Sequence, residues 1–313
     1  MAGALPLAVA TLLFSVEPQA AGAASAPSAY TGEAVDLTSS SATLNGSIGP
    51  ANEETSYYFQ YGTTVAYGAQ TPTTLAGAGT QAIHVSAPLT GLAVGTTYHY
   101  RLVAVNALGT RNGQGRAFTT KKIPLTFTIA VAPGRQLLGS PLSVSGTLSG
   151  TGSASHAVVL EANPFPYLSG FKAITDPLLT DVAGNFSFSV PGLSENTQLR
   201  VATLEAPLVN SRVVVERVAV RVALHVRPSG RRGYVRLYGA VTPAQIGALV
   251  SFQMLRPGHR PLTVASTIIT DRAKAFSRFS RAVHIRRPGL YRAYVHVVSG
   301  AQVSNGSRTI LIG

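Results

Sequence analysis

The chain contains no cysteine, which removes disulfides, thiolate metal sites, iron–sulfur clusters and cysteine nucleophiles together. It has no tryptophan and only two methionines, so a core has to be built from Val, Leu, Ala, Ile, Phe and Tyr. Charged residues are 12% of the chain against 45% hydrophobic ones, a balance that excludes a disordered polyelectrolyte. Thirty-one glycines and 19 prolines among 313 residues argue against a long helical bundle, because both break helix interiors. Long apolar runs are scarce as well. Ala4 to Val16 matches the length of a signal-peptide apolar region and is too short to cross a membrane. No other stretch reaches about 18 apolar residues, so no integral span is expected in the mature chain.

Pro18 interrupts that first run, and Ala21-Gly22-Ala23 fits the small-x-small cleavage rule, placing a mature start at Ala24. No Lys or Arg precedes the run, a departure from the usual signal. Residues 1–30 are therefore expected to be a signal peptide and short linker, and the protein to be secreted. Thr309-Ile310-Leu311-Ile312-Gly313 carries no wall-sorting motif, so covalent anchoring is not expected.

From residue 31 the chain is written in short alternating runs between Gly, Pro, Asn and Ser. Phe186-Ser187-Phe188-Ser189-Val190 and Tyr98-His99-Tyr100-Arg101-Leu102-Val103 are two of them. Period two means a strand with one buried and one wet face. Such runs about ten residues apart read as β-sandwiches. Ala244 to Leu255 has helical propensity, but the internal repeat described below favours a strand there.

Residues 31–121 carry three motifs in order: Thr43-Leu44-Asn45-Gly46, then Tyr57-Tyr58-Phe59-Gln60-Tyr61-Gly62, then Leu92-Ala93-Val94-Gly95-Thr96-Thr97-Tyr98 leading into Tyr100-Arg101-Leu102-Val103-Ala104-Val105-Asn106. This segment resembles the fibronectin type III domain. The resemblance implies that Tyr98 is a corner tyrosine, its hydroxyl bonded to backbone a few residues upstream. The family usually has Pro at the place of Val94 and a core Trp at that of Leu44; both differences are packing choices. The resemblance implies a scaffold rather than an activity.

Residues 122–220 and 221–313 align with each other. Gly146-Thr147-Leu148 matches Gly239-Ala240-Val241, Thr180-Asp181 matches Thr270-Asp271, Leu199-Arg200-Val201 matches Tyr291-Arg292-Ala293, and Ser211-Arg212-Val213 matches Ser307-Arg308-Thr309. A period of about 90–95 residues marks two domains of one kind, not a solenoid. They resemble bacterial immunoglobulin-like or carboxypeptidase-regulatory-like sandwiches, chiefly through Asp181-Val182-Ala183-Gly184-Asn185-Phe186. In the third domain that Gly is replaced by Lys274 or Ala275. The expected fold class is thus all-β: three tandem sandwiches at 31–121, 122–220 and 221–313, joined by short linkers.

Charge is not shared among them. Residues 31–121 hold four bases and four acids, residues 122–220 six and six, and residues 221–313 fifteen bases and the single acid Asp271. Arg in place of Lys fits a GC-rich bacterial genome but does not explain the neutral neighbours. Dense positive charge on one small domain repels itself, and a polyanion is the natural compensation. A loop cluster of Arg227, Arg231, Arg232, Arg256, Arg260, Arg286 and Arg287 is the leading candidate for phosphate or carboxylate contact, for which the Arg fork is suited. On strands, Tyr234, Arg236 and Tyr238 share one face, and Arg292, Tyr294 and His296 another; Tyr and Arg on a wet face stack on sugar rings and pair with anions. The two strands are expected in different sheets. The expected partner is an acidic cell-wall polymer or polysaccharide, with other surface proteins as further partners; nucleic acid is not expected, since no recognised motif for it is present.

Catalysis is not indicated. The carboxylates (Glu53, Glu54, Glu161, Asp176, Asp181, Glu195, Glu205, Glu216) form no recognised glycosidase pair, and Gly-x-Ser-x-Gly is absent. Asp176 and Asp181 are too thin a set for Ca²⁺, and no metal or cofactor is expected. Asn45-Gly46, Asn185-Phe186 and Asn305-Gly306 read as turns rather than glycosylation acceptors. The expected function is a secreted, non-enzymatic surface-binding or adhesion module with a basic tip; the alternative is a spacer or accessory protein of a polysaccharide-degrading system with no ligand of its own.

Overall fold

A computed structural model describes residues 23–134, 136–271 and 275–313. The signal-like segment to Gly22 and Lys274 lie outside the described residues. Every described element is a strand. The chain divides into two compact units, one ending at Ile123 and the other running from Pro124 to Gly313.

The first unit is one sandwich. Its strand Ser41–Gly49 alternates buried and half-buried residues without a break and sits between Ser28–Thr31 and Ile83–Thr90. The facing sheet is centred on Thr55–Gly62 and Thr97–Asn106, flanked by Ala69–Gln70, Thr74–Gly77, Gly109–Asn112 and Arg116–Thr119. Leu44, Ile48, Phe59, Tyr100 and Leu102 fill the space between the sheets. The Tyr98 hydroxyl accepts a bond from the Ala93 N–H at 3.0 Å. The deeper hydroxyl belongs to Tyr100, 1% exposed, which donates to the Gly32 carbonyl at 2.7 Å; burial pushes its pKa up.

The second unit holds two sandwiches with separate cores, one around Val144, Leu160, Phe186, Leu199 and Val201, the other around Leu237, Val250, Phe252, Phe279, Tyr291 and Val295. In each, one sheet is centred on a pair of antiparallel strands: Ala157–Pro164 beside Thr197–Thr203, and Leu249–Arg256 beside Gly289–His296. The segment with helical propensity is therefore a turn followed by the strand Leu249–Arg256.

The internal repeat has a physical basis at each matched position. Gly146 faces Phe186 across the sheet, and Gly239 faces Phe279. A Cβ at either glycine would land on a neighbouring carbonyl oxygen, that of Thr128 or Ala223, and also press on the phenyl ring. Asp181 Oδ1 accepts the N–H of Asn185, and Asp271 Oδ2 that of Arg278, each at 2.8 Å and each just before the core phenylalanine. Those bonds hold the Asp181 carboxyl below the usual range, the Asn185 N–H contributing most. Ser211 and Ser307 accept from the Val201 and Ala293 N–H groups and donate to the Arg212 and Arg308 carbonyls.

Between these two sandwiches, Val218, Ala219 and Val220 are fully buried. On one side the chain pairs in parallel with Gln136–Leu137. On the other, Val303 donates to the Val218 carbonyl at 2.9 Å and accepts from Val220 at 3.2 Å. Asn196 closes the junction. Its Oδ1 accepts the Val218 N–H at 2.8 Å and its Nδ2 donates to the Gly300 carbonyl at 2.7 Å. Phe165 of the second sandwich lies against Gly300 of the third.

Candidate functional site

Three turns at one end of the third sandwich carry or adjoin Arg231, Arg232, Arg256, Arg260, Arg286 and Arg287. They follow the strands Arg221–Pro228, Leu249–Arg256 and Ser277–His284. The junction with the second sandwich uses Gln245, Gly300 and Gln302, which lie at the other ends of these strands. The arginine turns therefore form the free tip of the second unit.

Arg256, Arg286, Arg287 and His284 line a cleft of about 530 Å³ at that tip, with Met254, Leu262, Val264 and Tyr291 as its apolar wall. The strand ends bring these residues together from segments about 30 positions apart. Tyr291 is 1% exposed and anchors the Arg286–Arg287 turn, its hydroxyl donating to the Arg287 carbonyl at 2.7 Å. Burial pushes its pKa up. Arg256 reaches across its own turn to the Arg260 carbonyl at 2.9 Å. Arg231 stacks over Tyr234 at 4.3 Å, and Tyr234 stacks on His284 at 4.9 Å, so this pair adjoins the cleft wall. Arg232 is exposed in the same turn as Arg231.

The remaining residues of the sequence-derived set lie elsewhere. Arg227 is not in a loop: it stands on the strand Arg221–Pro228, directly opposite Arg236. Arg236 and Tyr238 share its outward face with His225 and Arg278. Arg292 and Tyr294 belong to the other sheet. There Arg292 donates to Gln253 Oε1 at 2.9 Å, and its guanidinium lies 5.4 Å from the Tyr294 ring centroid. The same device recurs in each sandwich: Arg101 on Gln60 at 2.8 Å and Arg200 on Glu161 at 2.6 Å, with Tyr67 and Phe171 beneath their guanidinium groups. The position of Arg292 is thus one that the scaffold fills with arginine whatever the domain's charge.

Arg278, His284 and Tyr291 were not in the sequence-derived set. Arg278 and His284 could have been found there, since Arg278, Ser280, Ala282 and His284 alternate with Phe279 and Val283. Nothing local marks Tyr291 as the anchor of a turn four residues upstream.

Among the described residues the ion pairs are Arg116–Glu33 and Arg200–Glu161, both outside the third sandwich. The second sandwich has a cleft of about 580 Å³ at the matching place, lined by Ala162, Pro164, Ile174 and Leu193, with Lys172 and Glu195 its charged residues. Ala162 pairs with Leu199 as Met254 pairs with Tyr291, which fixes the correspondence. The cleft is a property of the scaffold; its arginines are a property of the third domain. Among the described residues no group of three or more His, Asp or Glu could hold a metal ion. No described helix is long and apolar enough to cross a membrane.

No protein-family model and no curated protein matches the chain. Among solved structures it is similar to the chicken CNTN1 FN1-FN3 domains, at 13% identity and TM-score 0.28 over 90% of this chain and 96% of that one. It is similar to a set of titin domains at 13% identity and TM-score 0.38, covering 92% and 99%. A tetra-tandem repeat from the extending region of a large adhesion protein matches at 14% identity and TM-score 0.33, covering 91% and 74%. The architecture itself rests on the strand order and the separate cores within the chain: it is a tandem of β-sandwiches.

Proposed function

We propose that the chain is an extracellular, non-catalytic binding module whose third sandwich docks on an acidic glycan, of the cell wall or of a polysaccharide matrix, through the arginine cleft at its tip. One observation carries this reading: two sandwiches of one register share a cleft, and only in the third is it lined by three arginines and a histidine. Three guanidinium groups with no carboxylate partner among the described residues suit bidentate binding of carboxylate, sulfate or phosphate. The apolar wall of Met254, Leu262 and Val264 suits the body of a sugar ring beside its charged group. The bonded junction around Val218–Val220 supports a spacer role for the second sandwich, which holds the basic tip on a stiff stalk.

The test is binding of the full chain to polygalacturonate across a salt series. Affinity should fall steeply with salt, as counterion release requires. Arg286→Ala with Arg287→Ala should flatten the log–log slope by roughly 1.4, at about 0.7 per lost contact on a flexible polyanion. Equal slopes for variant and wild type would overturn the cleft as the site. Failure of the wild type to bind at low salt would overturn the function.

A further inference from the structure

The outer face of the three-stranded sheet in the third sandwich is charged in a way its fold does not require. Arg227 stands directly opposite Arg236, a like-charge cross-strand pair that works against pairing. Arg278 lies on the neighbouring strand, opposite Ala240. Among the described residues none of the three has an ion-pair partner. Aligning the second sandwich on Gly146 and Gly239 puts Ala132, Ser143, Ser145 and Asn185 where Arg227, Arg236, Tyr238 and Arg278 stand. The same sheet is thus built next door from small neutral residues.

This face holds a shallow depression of about 280 Å³ with Arg227 and Arg278 on its rim, the Tyr238 ring as its wall and Ser280 at its edge. Arg236 Nη1 donates to Ser280 Oγ at 3.3 Å, and the Arg227 guanidinium lies 5.4 Å from the Tyr238 centroid. Tyr234 to Ala240 spans about 20 Å of strand at ~3.3 Å per residue. At its Tyr234 end stands His284, which also lines the tip cleft. A cationic track therefore runs from the cleft along the sheet to Arg278.

We propose that this sheet face is a second anion subsite, occupied by the same polymer chain that enters the cleft, so that the ligand is a linear anionic glycan long enough to cover both. The inference rests on the cleft reading and adds a length requirement to it. An oligomer shorter than about 20 Å engages one patch. A longer one engages the second at high effective concentration, which raises affinity about a hundredfold with no new kind of contact.

The experiment measures binding of the full chain to oligogalacturonates from two to ten residues. Wild type should show a steep rise in affinity once the oligomer spans the track, then a plateau. Arg227→Ala with Arg278→Asn places the second sandwich's own residues on the face. This variant should keep wild-type affinity for the shortest oligomers, lose the rise, and melt no lower than wild type. A wild-type plateau already reached with the dimer, or a rise retained in the variant, would overturn the second subsite and leave the cleft standing. No binding at any length would overturn the cleft and the subsite together.

Discussion

Asn196 is the residue whose loss should most directly separate the second sandwich from the third. It is 7% exposed, and its two side-chain bonds run to different partners: the linker at Val218 and the third sandwich at Gly300. Its backbone N–H also donates to Ala301 at 2.6 Å, and its carbonyl accepts from Phe165 at 2.9 Å; neither is touched by a side-chain change. Asn196→Ala removes two hydrogen bonds of about 1 kcal/mol each and leaves the Val218 N–H buried without an acceptor, at about 1–3 kcal/mol more. The expected cost is about 3–5 kcal/mol. For a unit the size of 124–313 that lowers the melting temperature by about 6–20 °C. With no tryptophan in the chain, tyrosine near-UV circular dichroism and amide exchange are the suitable probes. The exchange pattern separates a junction effect from a general one. The amides of Val218, Val220 and Val303, bonded across the linker, should lose protection. Those of Leu160 and Phe252, inside the two cores, should keep theirs at moderate temperature. Asn196→Asp keeps the acceptor for Val218 but sets a buried carboxylate oxygen against the Gly300 carbonyl, so it should destabilise at least as much as Asn196→Ala. A melting shift under about 1 °C with unchanged Val218 exchange would refute the idea that Asn196 holds the junction.

Tyr100→Phe should destabilise the first sandwich by about 1–2 kcal/mol, and Tyr98→Phe by about half as much, because the Tyr100 hydroxyl is the more deeply buried donor; denaturant midpoints in the order Tyr98→Phe below Tyr100→Phe would refute this. Glu216 is 6% exposed, and burial raises its pKa above the usual carboxylate value. A raised folded pKa favours the protonated form, so this contribution is present at low pH and is lost as pH rises through the Glu216 titration; Glu216→Gln should abolish that part of the stability–pH curve, and an identical curve for the variant would exclude it.

The residues that the sequence made legible are those the backbone itself dictates. Gly146 and Gly239 have no room for a Cβ, Asp181 and Asp271 each accept the N–H just ahead of a core-facing strand, and Ser211 and Ser307 satisfy the same pair of backbone groups. No other residue types do these jobs equally well, so the repeat survives in letters. The alternation of strands was legible for the related reason that one face of each is buried. What stayed hidden depends on segments far apart. The chain between the second and third sandwiches is buried at Val218–Val220, because Val303, more than 80 positions on, covers it. The sequence grouped Arg256 with Arg286 and Arg287 as loop arginines, but not the Met254, Leu262 and Val264 wall beside them, which strand pairing brings there. Arg227 looked like a loop residue beside Pro228, yet the strand extends through both.

The two related sandwiches act as controls for each other, and this decides which arginines carry information. Arg292 counts among the fifteen bases, but its counterpart Arg200 makes the same cross-strand bond in a domain of balanced charge. The one difference is that Gln253 replaces Glu161, so the bond geometry is kept while the neutralising carboxylate is gone. An arginine retained with its partner's charge removed adds to the field of the domain without itself facing the cleft. Arg256 and Arg286 stand where the second sandwich has Pro164 and Ser194, and Arg287 where it has Glu195, on a cleft that the scaffold already possesses, and Arg227, Arg236 and Arg278 replace Ala, Ser and Asn on a sheet that pairs without them. These six are grouped in two places on one sandwich, and both groups lack a carboxylate partner among the described residues. Charge added without an internal partner among the described residues works against the isolated fold, and the anionic ligand proposed above would offset that repulsion.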